Sequence, residues 1–192
     1  MTQVGHWDPV TAGVVTARLR SPEALKFFTE SQAACAAALV NLLTGQQDQP
    51  MVPVVEMIDA RLAGGETDGW RYADMPEDAQ AWRDTLGYLD EDALRRCGVV
   101  FADAAQADQA ALVQAVQDLK AGKWHGLPAA HVWSLWTRYA CTAFYSHPSA
   151  WNEIGFPGPA YPRGYKNAGV GRREPYEVGD ADPADDPVRK GD

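Results

Sequence analysis

Apolar residues recur along this chain at intervals of three and four, and the breaks between the recurrences fall at glycine or proline. Thr29 and Gln32 have the spacing of a capping box, and Cys35, Ala36, Leu39, Leu42 and Leu43 follow on one face until Gly45. This predicts a helix over about Thr29 to Thr44. A second helix starts near Pro53, carries Val54, Val55, Ile58 and Leu62, and ends at Gly64-Gly65. Pro76 suits the first turn of a third, longer helix with Ala79, Trp82, Leu86, Leu89, Ala93 and Cys97 in one stripe before Gly98. Asp90, Glu91 and Asp92 either restart that helix or lie on its wet side. Asp103 is placed to cap a fourth helix with Leu112, Val116 and Leu119, closed by Gly122. The fifth runs from about Pro128 to Ser146, buries Val132, Leu135, Trp136, Tyr139 and Ala143, and stops at Pro148. No run alternates with a period of two, and no internal repeat is present. The pattern predicts an all-α bundle of about five helices.

The flanks differ in character from this bundle, which spans about residues 29–147. Residues 1–28 read as an extended N-terminal arm holding Trp7, Val14, Val15, Leu19, Phe27 and Phe28. Between Tyr139 and Tyr165 the chain packs seven aromatics among four prolines and three glycines, so residues 148–167 are neither a solvated linker nor a continuous helix. Such a segment must dock on a surface, belonging either to its own bundle or to another chain. The Pro-Gly turn at Phe156 to Pro159 restricts the backbone and lowers the entropy lost on docking. Residues 168–192, rich in Asp, Gly and Pro, are expected to form an acidic tail without fixed structure when free.

A chain of 192 residues with 46% hydrophobic content and net charge -9 fits one domain and argues against a nucleic-acid partner, since no basic patch is present to hold phosphates. No apolar run approaches bilayer length. The start MTQVGHWDPV lacks the basic and apolar regions of a secretory signal, so the chain as synthesised is expected in the cytoplasm. Cys35, Cys97 and Cys141 are far apart and sit in helical patterns, which suits structural thiols. His6, His125, His131 and His147 lack the i, i+3 or i, i+4 pairing of helical metal sites and read as caps, surface groups or packing partners. Asp180, Asp182, Asp185 and Asp186 lack the EF-hand order, and Gly169-x-Gly171 lacks the third glycine and preceding strand of a dinucleotide fingerprint. Ser134 lies mid-helix, a poor place for a nucleophile. No catalytic, cofactor-binding or metal-binding residue is predicted in this chain.

The run YSHPSAWNEIGFPGPAYPRGY resembles the C-terminal signature of the gluconate 2-dehydrogenase subunit 3 family. The resemblance extends upstream through V-V-T-A-R-L at Val14 to Leu19, P-x-x-L-x-F-F-T at Pro22 to Thr29, Val54 to Leu62, and Leu86 to Gly98 followed by Phe101. It covers about Val14 to Tyr165, and W-N-E-I-G-F-P-G-P is its specific part. It implies a noncatalytic small subunit whose large partner, of the glucose-methanol-choline oxidoreductase type, holds FAD and oxidises a sugar, sugar acid or alcohol. A cytochrome often accepts the electrons in such complexes. Many members begin with a twin-arginine signal that is not present here, so the resemblance implies either export to the periplasm with a signal-bearing partner or a cytoplasmic complex. The aromatic flanks then supply the partner-binding residues: Trp7, Phe27, Trp151, Ile154, Phe156, Pro157, Tyr161 and Tyr165. Two alternatives stay open, a chaperone or export escort that releases its client and a stand-alone helical enzyme with an aromatic pocket.

Overall fold

The computed structural model describes residues 4–20, 24–48, 50–151, 154–156 and 158–160. Seven α-helices are formed among them: α1 (Pro9–Ala17), α2 (Glu30–Thr44), α3 (Val54–Ala63), α4 (Asp78–Cys97), α5 (Gln106–Asp118), α6 (Ala129–Ser146) and α7 (Pro148–Trp151). A minimal antiparallel hairpin, β1 (Lys123–Trp124) and β2 (Leu127–Pro128), precedes α6. The architecture is all-α, as the periodicity predicts. None of the described helices is long and apolar enough to cross a membrane.

The chain forms two compact units, Pro22–Phe144 and a terminal unit made of Met1–Ser21 with Tyr145–Asp192. In the first, α2 packs on α3, α4, α5 and the 3-10 turn Phe101–Asp103. Its start is fixed by the predicted capping box: the Thr29 hydroxyl accepts from the Gln32 N–H at 3.3 Å, while Gln32 Oε1 accepts from the Thr29 N–H at 3.1 Å. Its end is fixed by Gly45 in the left-handed region. Leu39, Val40, Trp82, Leu86, Leu89, Phe101, Val116, Val132 and Trp136 are fully buried and form the core. Two polar groups that enter are paired: the Trp136 indole donates to Thr85 Oγ1 at 3.0 Å, and Asp90 Oδ1 accepts from the Phe101 N–H at 2.9 Å, whereas the buried Trp82 Nε1 makes no hydrogen bond. Asp90 thus faces inward while α4 continues past it, so the acidic triplet does not restart the helix.

One buried charge organises the entry to this unit. Asp59 on α3 is 2% exposed, and its carboxylate accepts from the backbone N–H groups of Lys26, Phe27 and Phe28 at 2.7, 2.9 and 2.8 Å. Three charge-assisted bonds offset the cost of removing the carboxylate from water. They also set the segment that places Phe28 edge-on to Trp82, with ring centroids 6.1 Å apart.

Several expectations need correction. Asp103 does not cap the fourth helix; it belongs to the 3-10 turn, and α5 begins at Gln106 with Ala105 as an N-cap that makes no side-chain bond. The buried stripe of α5 is Val113 and Val116, whereas Leu119 is exposed, because the helix starts later and turns a different face inward. The N-terminal arm is not extended throughout, since it contains α1. Cys35 is buried, and burial raises its thiol pKa, but Cys97 is half-buried and Cys141 exposed; all three are free. His125 sits at φ 48° in the hairpin turn, stacked on Tyr88 and bonded to Asp92 at 2.9 Å. His131 bonds Asp74 at 2.9 Å and stacks on Tyr72, so both act as packing partners with hydrogen bonds.

Replacing Asp59 with Ala strands three backbone donors and should destabilise Pro22–Phe144 by about 3 kcal/mol or more. Urea unfolding followed by far-UV circular dichroism measures this, and a loss under about 1 kcal/mol would show that water replaces the carboxylate without cost.

Candidate partner-docking face

The terminal unit is built from a capped helix and an irregular segment that closes against it. Asp8 caps α1: its Oδ1 accepts from the N–H groups of Val10 and Thr11 at 2.8 and 3.0 Å, and its Oδ2 from the Thr11 hydroxyl at 2.9 Å. These bonds, led by that from the Thr11 backbone, lower the Asp8 pKa. Pro9 follows at the first helical position, where its lack of an N–H costs nothing. At the other end the Arg18 guanidinium donates to the Ser146 carbonyl at 2.7 Å, beside the C-terminus of α6.

Trp7, Val15 and Trp151 form the buried cluster of this unit, with Ala12 packed against it. Both indoles find acceptors: Trp7 Nε1 donates to the Pro159 carbonyl and Trp151 Nε1 to the Tyr145 carbonyl, each at 2.9 Å. After α7 the Phe156 N–H donates back to the Trp151 carbonyl at 2.9 Å, and Gly155 is left-handed at φ 68°. That is the six-to-one closure of a Schellman motif, and its usual apolar contact is present as the edge-to-face pair of Phe156 and Trp151, 5.2 Å between centroids. Gly158 then passes between the indoles. A Cβ there would lie 2.5 Å from Trp7 Cζ2 and 3.2 Å from Trp151 Cζ3, and its φ of 86° is itself strained for any other residue.

The same closure sorts the aromatic segment into inward and outward residues. Trp7 and Trp151 are buried on each other, whereas Ile154 is 50% and Phe156 37% exposed. On α1, Val10 and Val14 are exposed one turn apart. Phe27 belongs to Pro22–Phe144 and is half-buried, edge-on to Phe28 at 5.0 Å with the Arg83 guanidinium 4.0 Å over its ring. Pro157, Tyr161 and Tyr165 lie outside the described residues. Sequence reasoning missed Val10, counted Val14 only among the arm's apolar residues, and did not place Gly158 between the two indoles. The Asp8-Pro9 pair is a helix-start signal that could have found α1 and with it the exposed valines.

His147 is buried in the terminal unit, and its Nδ1 accepts from the Ser149 N–H at 3.2 Å. Burial lowers its pKa below the ordinary 6.5; a hydrogen bond to the Arg18 backbone opposes this and the Arg18 charge adds to it.

Among the described residues no three His, Cys, Asp or Glu side chains gather as a metal set. What the terminal unit offers is shape and apolar surface.

The sequence profile of the family described as "Gluconate 2-dehydrogenase subunit 3" matches residues 30–158, more than half of the chain. The match takes in Trp151, Ile154, Phe156 and Gly158 but begins after α1. No curated protein and no solved structure matches the chain.

Gly158→Ala should open the terminal unit, because it adds both the steric conflict with Trp7 and the left-handed strain. Hydrogen exchange across α1 should speed up at least tenfold, roughly the consequence of losing 1.4 kcal/mol. Unchanged exchange would mean the indoles part without cost. Acid should act on the same unit. His147 is held neutral while the unfolded chain takes up a proton near pH 6.5, so its contribution is complete above that value and is lost as pH falls through the lower folded pKa. Exchange in α1 should therefore accelerate on going from pH 7 to 5 after correction for the intrinsic rate, and His147→Gln should flatten that dependence.

Proposed function

Because the chain belongs to the gluconate 2-dehydrogenase subunit 3 family, we propose that it is a noncatalytic subunit of a dehydrogenase complex, and that it binds and stabilises an FAD-containing large subunit of the glucose-methanol-choline oxidoreductase type. The large subunit would hold the flavin and oxidise the substrate, with a cytochrome as a further member of the complex. The family match carries this reading. The outward residues of the terminal unit support it, since Ile154 and Phe156 are apolar and exposed on a segment that two hydrogen-bonded indoles hold in place. A pre-formed apolar projection loses little ordering entropy on docking, which favours a stable interface over a transient one. Export of the complex to the periplasm under a signal carried by the large subunit is compatible with this role.

The two classes of aromatic now have different expected effects. Phe156→Ala or Ile154→Ala should weaken the complex with the large subunit by roughly 2–4 kcal/mol while leaving the chain folded. Trp151→Ala should instead cost roughly 3–5 kcal/mol in the terminal unit, because it empties a buried site. Titration calorimetry of each variant against the purified flavoprotein, alongside its thermal unfolding, separates the two. Unchanged affinity for both Phe156→Ala and Ile154→Ala would reject this face as the interface. Failure of the wild-type chain to bind any large subunit encoded beside it would reject the accessory role.

A further inference from the structure

In Pro22–Phe144, the loop between α3 and α4 borders a half-open cleft of about 260 Å³ lined by Thr67, Gly69, Trp70, Arg71, Glu77 and Asp78. Asp78 is more than nine-tenths buried. Its Oδ2 accepts from the Tyr139 hydroxyl at 2.8 Å and from Arg138 at 3.3 Å, which leaves Oδ1 as an acceptor for a bound molecule. Burial, reinforced by that carboxylate, raises the Tyr139 pKa and keeps its hydroxyl a donor. Arg71 pairs with Glu77 at 2.8 Å and donates to the Met75 carbonyl at 2.7 Å, and Arg61 and Arg138 both pair with Asp68, a neighbour of the lining residues Thr67 and Gly69 in sequence. Arg138 Nε is buried with no acceptor. Trp70 is 51% exposed and edge-on to Tyr72 at 5.3 Å; the Arg138 guanidinium lies 4.9 Å from the centroid of its ring, over one face, which leaves the opposite face for a ligand.

The charges decide the class of ligand. Three guanidinium groups (Arg61, Arg71, Arg138) meet three carboxylates (Asp68, Glu77, Asp78), so the surroundings are electroneutral and alternate donors with acceptors. An ion of either sign would lose hydration and face a like charge at short range. A hydroxyl both donates and accepts, so neighbouring hydroxyls can bridge a carboxylate and a guanidinium at once. Aliphatic C–H groups between them can lie on the indole face. The volume of about 260 Å³ has the size of one substituted six-membered ring.

We propose that this cleft binds an uncharged polyhydroxylated ring of the monosaccharide type, with its C–H face on Trp70 and vicinal hydroxyls shared between Arg71 and the Asp78–Glu77 pair. The site is separate in sequence from the docking residues of the terminal unit and does not depend on the accessory-subunit reading. Its test is made without a partner, so either reading can fail alone. Glucose, glucosamine and glucuronate share a ring and differ in charge, and each is titrated into the full-length chain with ligand-observed NMR as the readout. Glucose should bind, and the cationic and anionic analogues should bind about tenfold more weakly or not at all. Trp70→Ala should reduce glucose affinity by about tenfold and Trp70→Phe should restore most of it. Glu77→Gln, a change at an exposed side chain, should weaken binding with helix content intact. Absence of glucose binding, equal or tighter binding of either charged analogue, or unchanged affinity in a folded Trp70→Ala or Glu77→Gln chain would overturn the assignment.

Discussion

Gly158 lets the backbone pass where any side chain would meet the Trp7 ring at 2.5 Å, and the terminal unit depends on that passage. With the glycine in place, the Trp7 indole reaches the Pro159 carbonyl, Trp151 lies against Trp7 and Val15, and the first helix and the last described segment share one small core. Two large aromatics are buried in this short stretch, and their N–H groups find backbone acceptors, so burial leaves neither indole stranded. The left-handed Gly155 turns the chain so that Phe156 returns over Trp151 with one side to solvent. The exposure of Ile154 and Phe156 is therefore a consequence of how the indoles are buried, not of a loose end.

Pro22–Phe144 uses a different device for the same problem of fixing irregular chain. Asp59 gathers three successive backbone N–H groups, and Gln46, also buried, closes the α2–α3 connection by accepting from Met51 and Val52 and donating to the Val52 carbonyl. Both side chains stand in for secondary structure where none forms, which is how buried backbone groups outside helices are satisfied. The hairpin before α6 is pinned similarly. Asp92 accepts from the Trp124 indole at 2.8 Å and bonds His125 and Arg95, and although burial opposes it, these bonds lower the Asp92 pKa.

The helices were legible where local chemistry and burial agreed. Thr29, Gln32 and Gly45 bound α2 because capping boxes and left-handed C-terminal glycines act within a few residues. Gly98 ends α4 for the same reason. Asp103 misled because a good capping residue was taken up by a 3-10 turn whose Phe101 is anchored by Asp90 and Gln109. That is a tertiary override no local rule could show. Of the candidate site, the aromatic segment stood out in sequence, but which aromatics face inward did not. The sorting of Trp151 from Phe156 depends on contacts with Trp7, which lies far away along the chain. The cleft beside Trp70 was invisible for a related reason: Arg61, Asp68, Asp78 and Arg138 come from separate elements, and their balance exists only after folding.

The proposal that the terminal unit buries its tryptophans and presents Phe156 to a large subunit is open to a direct test. Placing a photo-crosslinking amino acid at position 156, and separately at Leu119 on the exposed end of α5, tests that claim in the host's own complex. Irradiation should join the chain to a flavin-containing subunit from position 156 and give little product from 119. Crosslinking from 119 to that subunit, with none from 156, would contradict it.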